Sequence, residues 1–172
     1  MLLALCLGLA TAGCEEKVEA FFAPGAADGS PTVPSLTDVV GPTTTSYDPD
    51  PDATTCTPVP DPFDVDATIE DTGDMLDGLP LISVVFPDAP PGGEVTGPYD
   101  PSTGDFEGET EEVDQDGGLT AVERWSVEFV GQGDESDYRG SYSGTSEVTF
   151  TDTETGGSCE IVYDVSGTLG GA

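Results

Sequence analysis

The last two-thirds of the sequence predicts an all-β fold, a small antiparallel meander of six to eight strands over residues 62–172. Apolar and polar side chains alternate there with a period of two. Turns rich in Gly and Asp separate the alternating segments. No segment keeps the 3.6-residue period of an amphipathic helix. We therefore expect a curved sheet or a small barrel.

The first strands follow one another at short intervals. The run FDVDATIE places four apolar residues on one face: Phe63, Val65, Ala67 and Ile69. The run LISVVF is short and apolar, which indicates a buried strand. The runs GGEVTGPY and GDFEGETEEV flank DPSTG, a strong hairpin turn signal.

The last three predicted strands are LTAVERWSVEFVG, YRGSYSGTSEVTF and CEIVYDVSGTL. Alternation predicts these inward residues: Leu119, Ala121, Trp125, Val127 and Phe129, then Tyr138, Gly140, Tyr142, Gly144, Val148 and Phe150, then Cys159, Ile161, Tyr163, Val165, Gly167 and Leu169. The turn GQGDES predicts the pairs Phe129–Tyr138 and Trp125–Tyr142. The turn DTETGG predicts the pairs Phe150–Cys159 and Val148–Ile161.

Inward glycines favour a barrel over a flat sandwich. The pattern aromatic-x-Gly occurs at Phe106–Gly108, Tyr138–Gly140 and Tyr142–Gly144. Inward glycines permit tight coiling, and neighbouring rings can cover them. As a meander, this pattern resembles the calycin or lipocalin architecture. The N-terminal Gly-x-Trp signature of lipocalins is missing, so the resemblance does not imply ligand transport, and we expect a filled interior.

The charge is strongly one-sided. The chain has 35 acidic residues, 3 basic residues and no histidine, for a formal net charge of -32. We therefore expect neither nucleic acids nor anionic lipid headgroups as partners, because like charges repel. The acidity has three interpretations that can coexist: a surface adapted to high salt, affinity for divalent cations, and an acidic disordered tether.

The residue types leave little room for catalysis. Without histidine, Ser-His, Cys-His and His-metal sites cannot form. Among the carboxylates, only Glu123 stands out, because it interrupts an inward-facing series. It is either a buried acid or ligand contact, or, as we favour, a residue at the barrel mouth or beside a bulge that turns it outward. Alternation places Trp125 in the core and Arg124 outside. We predict a non-enzymatic protein without a cofactor.

The N-terminal residues MLLALCLGLATAG form an uncharged apolar run followed by small residues, as in a secretory signal. The residues TAGC at Thr11–Cys14 resemble the lipobox of bacterial lipoproteins, with Thr11 where Leu is usual. The resemblance implies that residues 1–13 are a signal peptide and that Cys14 carries acyl chains such as palmitate. The alternative is an ordinary secretory signal that leaves Cys14 as a free thiol.

The lipoprotein resemblance also limits cysteine pairing. Cleavage would remove Cys6, and acylation would occupy Cys14. Only Cys56 and Cys159 then remain, and an oxidising compartment permits a disulfide between them. Zinc binding by two cysteines without histidine is a poor alternative.

Residues 14–61 are predicted to hold the lipid anchor and an acidic, Pro- and Thr-rich disordered linker. Within this linker, DPDPD presents Asp48, Asp50 and Asp52 at alternate positions. Alternate carboxylates suit calcium, yet Ala53 replaces the glycine of a calcium-binding EF-hand loop. These aspartates are weak calcium candidates, and no other metal site is predicted.

Together these features predict an exported lipoprotein that displays a small β domain on an acidic tether, with a binding or envelope-structural role. We expect a monomer in the cell envelope, anchored to the membrane through lipid, with a protein or glycan partner. Because Glu15 follows the cysteine, the resemblance favours the outer membrane or cell surface. The alternatives are a calcium- or polysaccharide-dependent adhesion module and, less favoured, a carboxylate-based hydrolase.

Overall fold

Nine strands and one short helix occupy the part of the chain that the computed structural model describes, residues 32–87, 93–110, 112–115, 118–132 and 139–169. The elements are α1 (Leu36–Val39), β1 (Gly41–Pro49), β2 (Phe63–Leu76), β3 (Leu79–Val85), β4 (Glu94–Pro98), β5 (Asp105–Glu109), β6 (Val113–Gln115), β7 (Leu119–Gln132), β8 (Arg139–Asp152) and β9 (Ser158–Leu169). The predicted signal peptide and Cys14 lie outside the described residues.

Eight strands close into an antiparallel barrel, which confirms the predicted fold class. The order around the barrel is β1-β2-β3-β4-β5-β7-β8-β9, and β9 returns to pair with β1. Strand β6 forms a short hairpin with the first residues of β7, beyond the segment of β7 that pairs with β5. The predicted DPSTG turn is confirmed, because the amide of Gly104 donates to the carbonyl of Asp100 at 2.8 Å.

The predicted boundary at residue 62 is wrong, because β1 lies inside the predicted linker. This strand pairs with β2 on one side and with β9 on the other. Its burial alternates, with Thr43, Thr45 and Tyr47 buried in the barrel. The described segment 32–61 therefore belongs to the β domain, and the remainder of the predicted linker lies outside the described residues.

Large side chains and glycines fill the barrel together. The ring of Phe106 lies over Gly108, and the ring of Tyr142 lies over Gly167 on the neighbouring strand. The expected covering of inward glycines by rings is thus confirmed at these two positions, although Tyr142 covers Gly167 rather than Gly144. The other buried apolar residues include Ile69, Ile82, Val84, Val95, Tyr99, Val127, Phe129 and Val165. Leu119, predicted to face inward, lies at a strand end and is exposed.

The segment before β1 crosses one end of the barrel. Thr32 forms an antiparallel bridge with Gly131 of β7, whereas Gly41 begins β1 on the opposite side. Between them, the hydroxyl of Tyr99 donates to the carbonyl of Pro34 at 2.5 Å, and Val39 of α1 is fully buried in the core. Helix α1 therefore closes this end.

The predicted register is correct between β8 and β9 and wrong between β7 and β8. Phe150 pairs with Cys159, and Val148 pairs with Ile161, as predicted. Between β7 and β8 the prediction is wrong, because Trp125 pairs with Ser146. Tyr138 lies outside the described residues. Strand β7 continues to Gln132, inside the predicted turn GQGDES, and β8 begins only at Arg139. The pairing is therefore shifted by four residues, while each residue keeps its face.

The end of the barrel opposite α1 carries the disulfide. Cys56 and Cys159 are bonded, as predicted, and they join the β1–β2 connection to the start of β9. The amide of Thr55 also donates to the carbonyl of Glu160 at 2.8 Å. The connection between β1 and β2 is thereby held against the last strand.

Candidate functional site

Five aromatic side chains pack together at the disulfide-bearing end, and we call them the aromatic cluster: Tyr47, Phe63, Phe86, Trp125 and Tyr163. Tyr47 is central, stacked on Phe63 at a centroid distance of 4.8 Å and edge-on to Tyr163 at 5.3 Å. Such pairs contribute about 0.5–1.5 kcal/mol each beyond the area they bury. Phe63, at the start of β2, is 45% exposed and forms the outer face of the cluster.

Glu123 lies beside this cluster with its side chain directed into the barrel. Its Oε1 accepts hydrogen bonds from Tyr47 Oη at 3.0 Å, Trp125 Nε1 at 2.6 Å and Ser146 Oγ at 2.7 Å. The pairing of β7 with β8 is continuous from Leu119 to Gln132, so no bulge turns Glu123 outward. The interpretation that a bulge turns Glu123 outward is therefore wrong, whereas its position near a barrel end agrees with the other favoured interpretation, a residue at the barrel mouth.

The environment of Glu123 perturbs its neighbours. Burial, the nearby charge of Glu123 and the hydrogen bond to it raise the pKa of Tyr47 far above its usual range. Burial and the same carboxylate raise the pKa of Tyr163. Among the described residues, the groups that hydrogen-bond to Glu123 Oε1 are a phenol, an indole and an alcohol, all of which donate. The carboxylate therefore orients three core side chains.

A groove crosses the outer face of five strands, and we call it the cross-strand groove. It encloses about 530 Å³, within the range of small-ligand sites. Two rows of outward residues line it, one made of Thr96, Glu109, Arg124 and Glu147, the other of Leu81, Pro98, Glu107, Ser126 and Thr145. Leu76, near the tip of the β2–β3 hairpin, forms one wall and is 49% exposed.

The charges in this groove are unevenly matched. Arg124 Nε lies 2.5 Å from Glu109 Oε2, and both side chains are 54% exposed. Within the described ranges, neither Glu107 nor Glu147 forms an ion pair. As predicted, Arg124 is outside and Trp125 is in the core. The groove thus combines an apolar end at Leu76 and Leu81 with a net negative centre.

The DPDPD aspartates do not converge. Asp48 lies on the outer face of β1, beside a second groove of about 470 Å³ lined by hydroxyl and acidic side chains. Asp50 Oδ1 accepts the amides of Asp52 at 2.8 Å and Ala53 at 3.3 Å, so it caps a turn. In the part of the chain that the structure describes, no three His, Cys, Asp or Glu side chains lie close enough to hold a metal ion. Weak calcium association stays a prediction.

Sequence reasoning missed two partners of Glu123. Tyr47 lies in the predicted linker, and Ser146 is not among the predicted inward residues of its strand. The alternation of faces along β8 predicts Ser146 to face inward, because it lies between Gly144 and Val148 in the inward series. The structure places it there, fully buried. An acidic residue on an inward face predicts a polar partner on a neighbouring strand.

No protein family, curated protein or solved structure matches this chain. A search of the described residues found no helix with the length and apolar character needed to cross a membrane. The functional argument therefore depends on the residues themselves.

Proposed function

We propose that this chain is an exported lipoprotein, anchored through Cys14, whose β-barrel has a non-enzymatic binding or envelope-structural role. The observation that carries the proposal is the disulfide between Cys56 and Cys159. Disulfides persist in oxidising compartments, so the bond supports passage out of the cytoplasm. The lipobox-like residues Thr11–Cys14 supply a route for that export and for the anchor.

The arrangement around Glu123 supports a structural role for this carboxylate over a catalytic one. A carboxylate-based hydrolase needs two acids at a fixed separation across a cleft. Here Oε1 of Glu123 is engaged by Tyr47, Trp125 and Ser146, all side chains of the packed interior. A carboxylate held in this way stabilises the core.

The fold also suggests how the barrel is presented. The described chain begins at Thr32, beside the end that α1 closes, so 17 residues lie between Cys14 and the barrel. As a flexible coil, such a tether spans roughly 23 Å. The chain would then enter the barrel at the α1 end, and the disulfide-bearing end would be the one further along the chain from the anchor. The position of Glu15 favours the outer membrane or the cell surface.

Intact mass spectrometry of the membrane fraction tests this proposal. In a bacterial host with an outer membrane, the wild-type chain should begin at residue 14 and carry a diacylglyceryl group on Cys14. The variant Cys14→Ser should lose these acyl groups and leave the membrane fraction. Cys6→Ser is the matched control, because it makes the same chemical change in the segment that is removed. A mass difference between wild type and Cys14→Ser no larger than the exchange of one sulfur atom for one oxygen atom would refute the anchor.

Thiol alkylation tests the compartment. The exported wild-type chain should react with iodoacetamide at Cys56 and Cys159 only after reduction. Reaction at both cysteines without a reductant would show that the disulfide is not formed and would remove the main support for export.

A further inference from the structure

We infer that the cross-strand groove binds a basic segment of another polypeptide, with an apolar side chain against Leu76 and Leu81 and Lys or Arg side chains beside Glu107 and Glu147. The inference deepens the proposed function and rests on it, because it names the partner of the proposed binding module.

The shape of the groove suits an extended segment. The groove runs across β3, β4, β5, β7 and β8, so a bound chain would lie across the strands. Pro98 lines it beside Glu107 and provides no amide donor to β5. Gly97 and Gly108 also line it, and a Cβ on Gly97 would lie 1.9 Å from the carbonyl oxygen of Glu107. The main chains of β4 and β5 therefore approach each other closely at these glycines, beneath the groove.

The apolar end argues for a partner with a hydrophobic side chain. Leu76 is 49% exposed and the adjacent Met75 is 62% exposed, on a hairpin that projects from the barrel. Together with Leu81 and Pro98, Leu76 offers apolar surface that gains from being covered. A bare metal cation or a small polyamine would leave this surface in water.

The charge of the groove selects a cation. Glu109 already pairs with Arg124, which leaves Glu107 and Glu147 to attract a basic partner. A second copy of this chain carries the same formal charge of -32 and would be repelled. The N-terminal residues 15–31 have one lysine against four acids, so they are also acidic and unsuited.

Fluorescence anisotropy with three labelled decapeptides tests the inference on the full chain. The first peptide alternates Lys with Leu, the second alternates Glu with Leu, and the third alternates Lys with Ser. We expect the first to bind most tightly, and its binding to weaken as sodium chloride rises. Equal binding of the first and third peptides would show that the apolar end is not used and would overturn the inference.

Charge-matched variants separate the groove from general attraction to an acidic protein. Glu107→Gln combined with Glu147→Gln should weaken Lys–Leu peptide binding about tenfold, which corresponds to about 1.4 kcal/mol. Asp61→Asn combined with Glu154→Gln removes the same charge at exposed positions outside the groove and should change binding less than about twofold. Leu76→Ser should weaken the Lys–Leu peptide and leave the Lys–Ser peptide unchanged.

These measurements distinguish failure of the groove as a binding site from failure of the proposed anchor. Equal loss in the two double variants, or no binding of the Lys–Leu peptide, overturns the groove as a site. Either result leaves the mass of the acylated chain unchanged, so the proposed export and anchoring would stand. Conversely, an unacylated Cys14 would remove the anchor without altering the peptide measurements.

Discussion

The ring of Tyr142 lies over Gly167, its direct partner across the β8–β9 ladder. A Cβ at position 167 would approach the ring Cζ to 2.3 Å. The ring cannot easily move, because its hydroxyl is hydrogen-bonded to Thr45 Oγ1 at 2.6 Å and to Thr43 Oγ1 at 3.2 Å. One glycine thus makes room for a tyrosine whose hydroxyl ties β8 to β1.

Substituting this glycine should destabilise the barrel. We expect Gly167→Ala to lower the free energy of unfolding by about 1–3 kcal/mol, as overpacking in a core does. Gly144→Ala should cost at least as much, because its Cβ would meet the backbone oxygen of Ser126 at 2.1 Å. Gly157→Ala is the control, with no atom closer than 3.4 Å. Urea denaturation measures all three, and equal midpoints would contradict the packing argument.

Removing the Glu123 carboxylate should leave three core donors without their acceptor. We expect Glu123→Ala to lower the free energy of unfolding by about 3 kcal/mol, because unsatisfied buried polar groups are costly. Glu123→Gln keeps an oxygen acceptor and should cost less. Glu154→Ala, in an exposed turn, should change stability by less than about 0.5 kcal/mol.

Loss of the hydrogen bond between Trp125 and Glu123 should be visible in the tryptophan fluorescence. Trp125 is the only tryptophan, and its indole nitrogen donates to Glu123. Its emission maximum should shift in Glu123→Ala and stay unchanged in Glu154→Ala. An unshifted spectrum in Glu123→Ala would argue against the hydrogen bond.

The disulfide should contribute strongly to stability. It closes a loop with a sequence separation of 103 residues. In the chain-entropy treatment, such a loop stabilises the folded state by about 4.7 kcal/mol. The double variant Cys56→Ser, Cys159→Ser should therefore unfold at a lower urea concentration than the oxidised wild type, and a reductant should affect only the wild type. Insensitivity of the wild type to reductant would indicate that the bond is absent.

Buried tyrosines should make the barrel sensitive to alkali. Burial is the largest cause of the raised pKa values of Tyr47, Tyr142 and Tyr163. The folded state favours the neutral phenol, so this stability is present below the unfolded pKa of about 10 and is lost as pH rises above it. Above that pH, the free energy of unfolding should fall less steeply in Tyr47→Phe than in wild type, by about 1.4 kcal/mol per pH unit. Urea midpoints on both sides of pH 10 check this, and equal slopes for wild type and variant would contradict it.

The period-two pattern was sufficient to predict the β7, β8 and β9 faces, and β1 shows where it fell short. Thr43, Thr45 and Tyr47 alternate with Thr44, Ser46 and Asp48, yet the inward residues are largely polar. Hydroxyls inside a barrel become favourable only when a partner such as Tyr142 is present, and that partner lies about a hundred residues away. Local patterning cannot reveal such a pairing.

The β7–β8 register shows a second limit. The predicted partner of Trp125 was Tyr142, and the observed partner is Ser146, four residues later. An even shift keeps every side chain on its face, so the hydrophobic pattern fits both registers. In the observed register Ser146 lies opposite Trp125, two residues from Val148, which is the direct partner of Glu123, and there its hydroxyl reaches the carboxylate.

The pairing of the first strand with the last has a consequence for the order of folding during synthesis. Thr43 of β1 lies opposite Leu169 of β9, which follows it much later in the sequence. A nascent β1 can meet β2 early, but its other edge stays open until β9 has emerged. Contacts so distant in sequence form slowly. Until then the partly made sheet exposes an unpaired edge, and the many acidic side chains on its outer face would discourage aggregation with other chains.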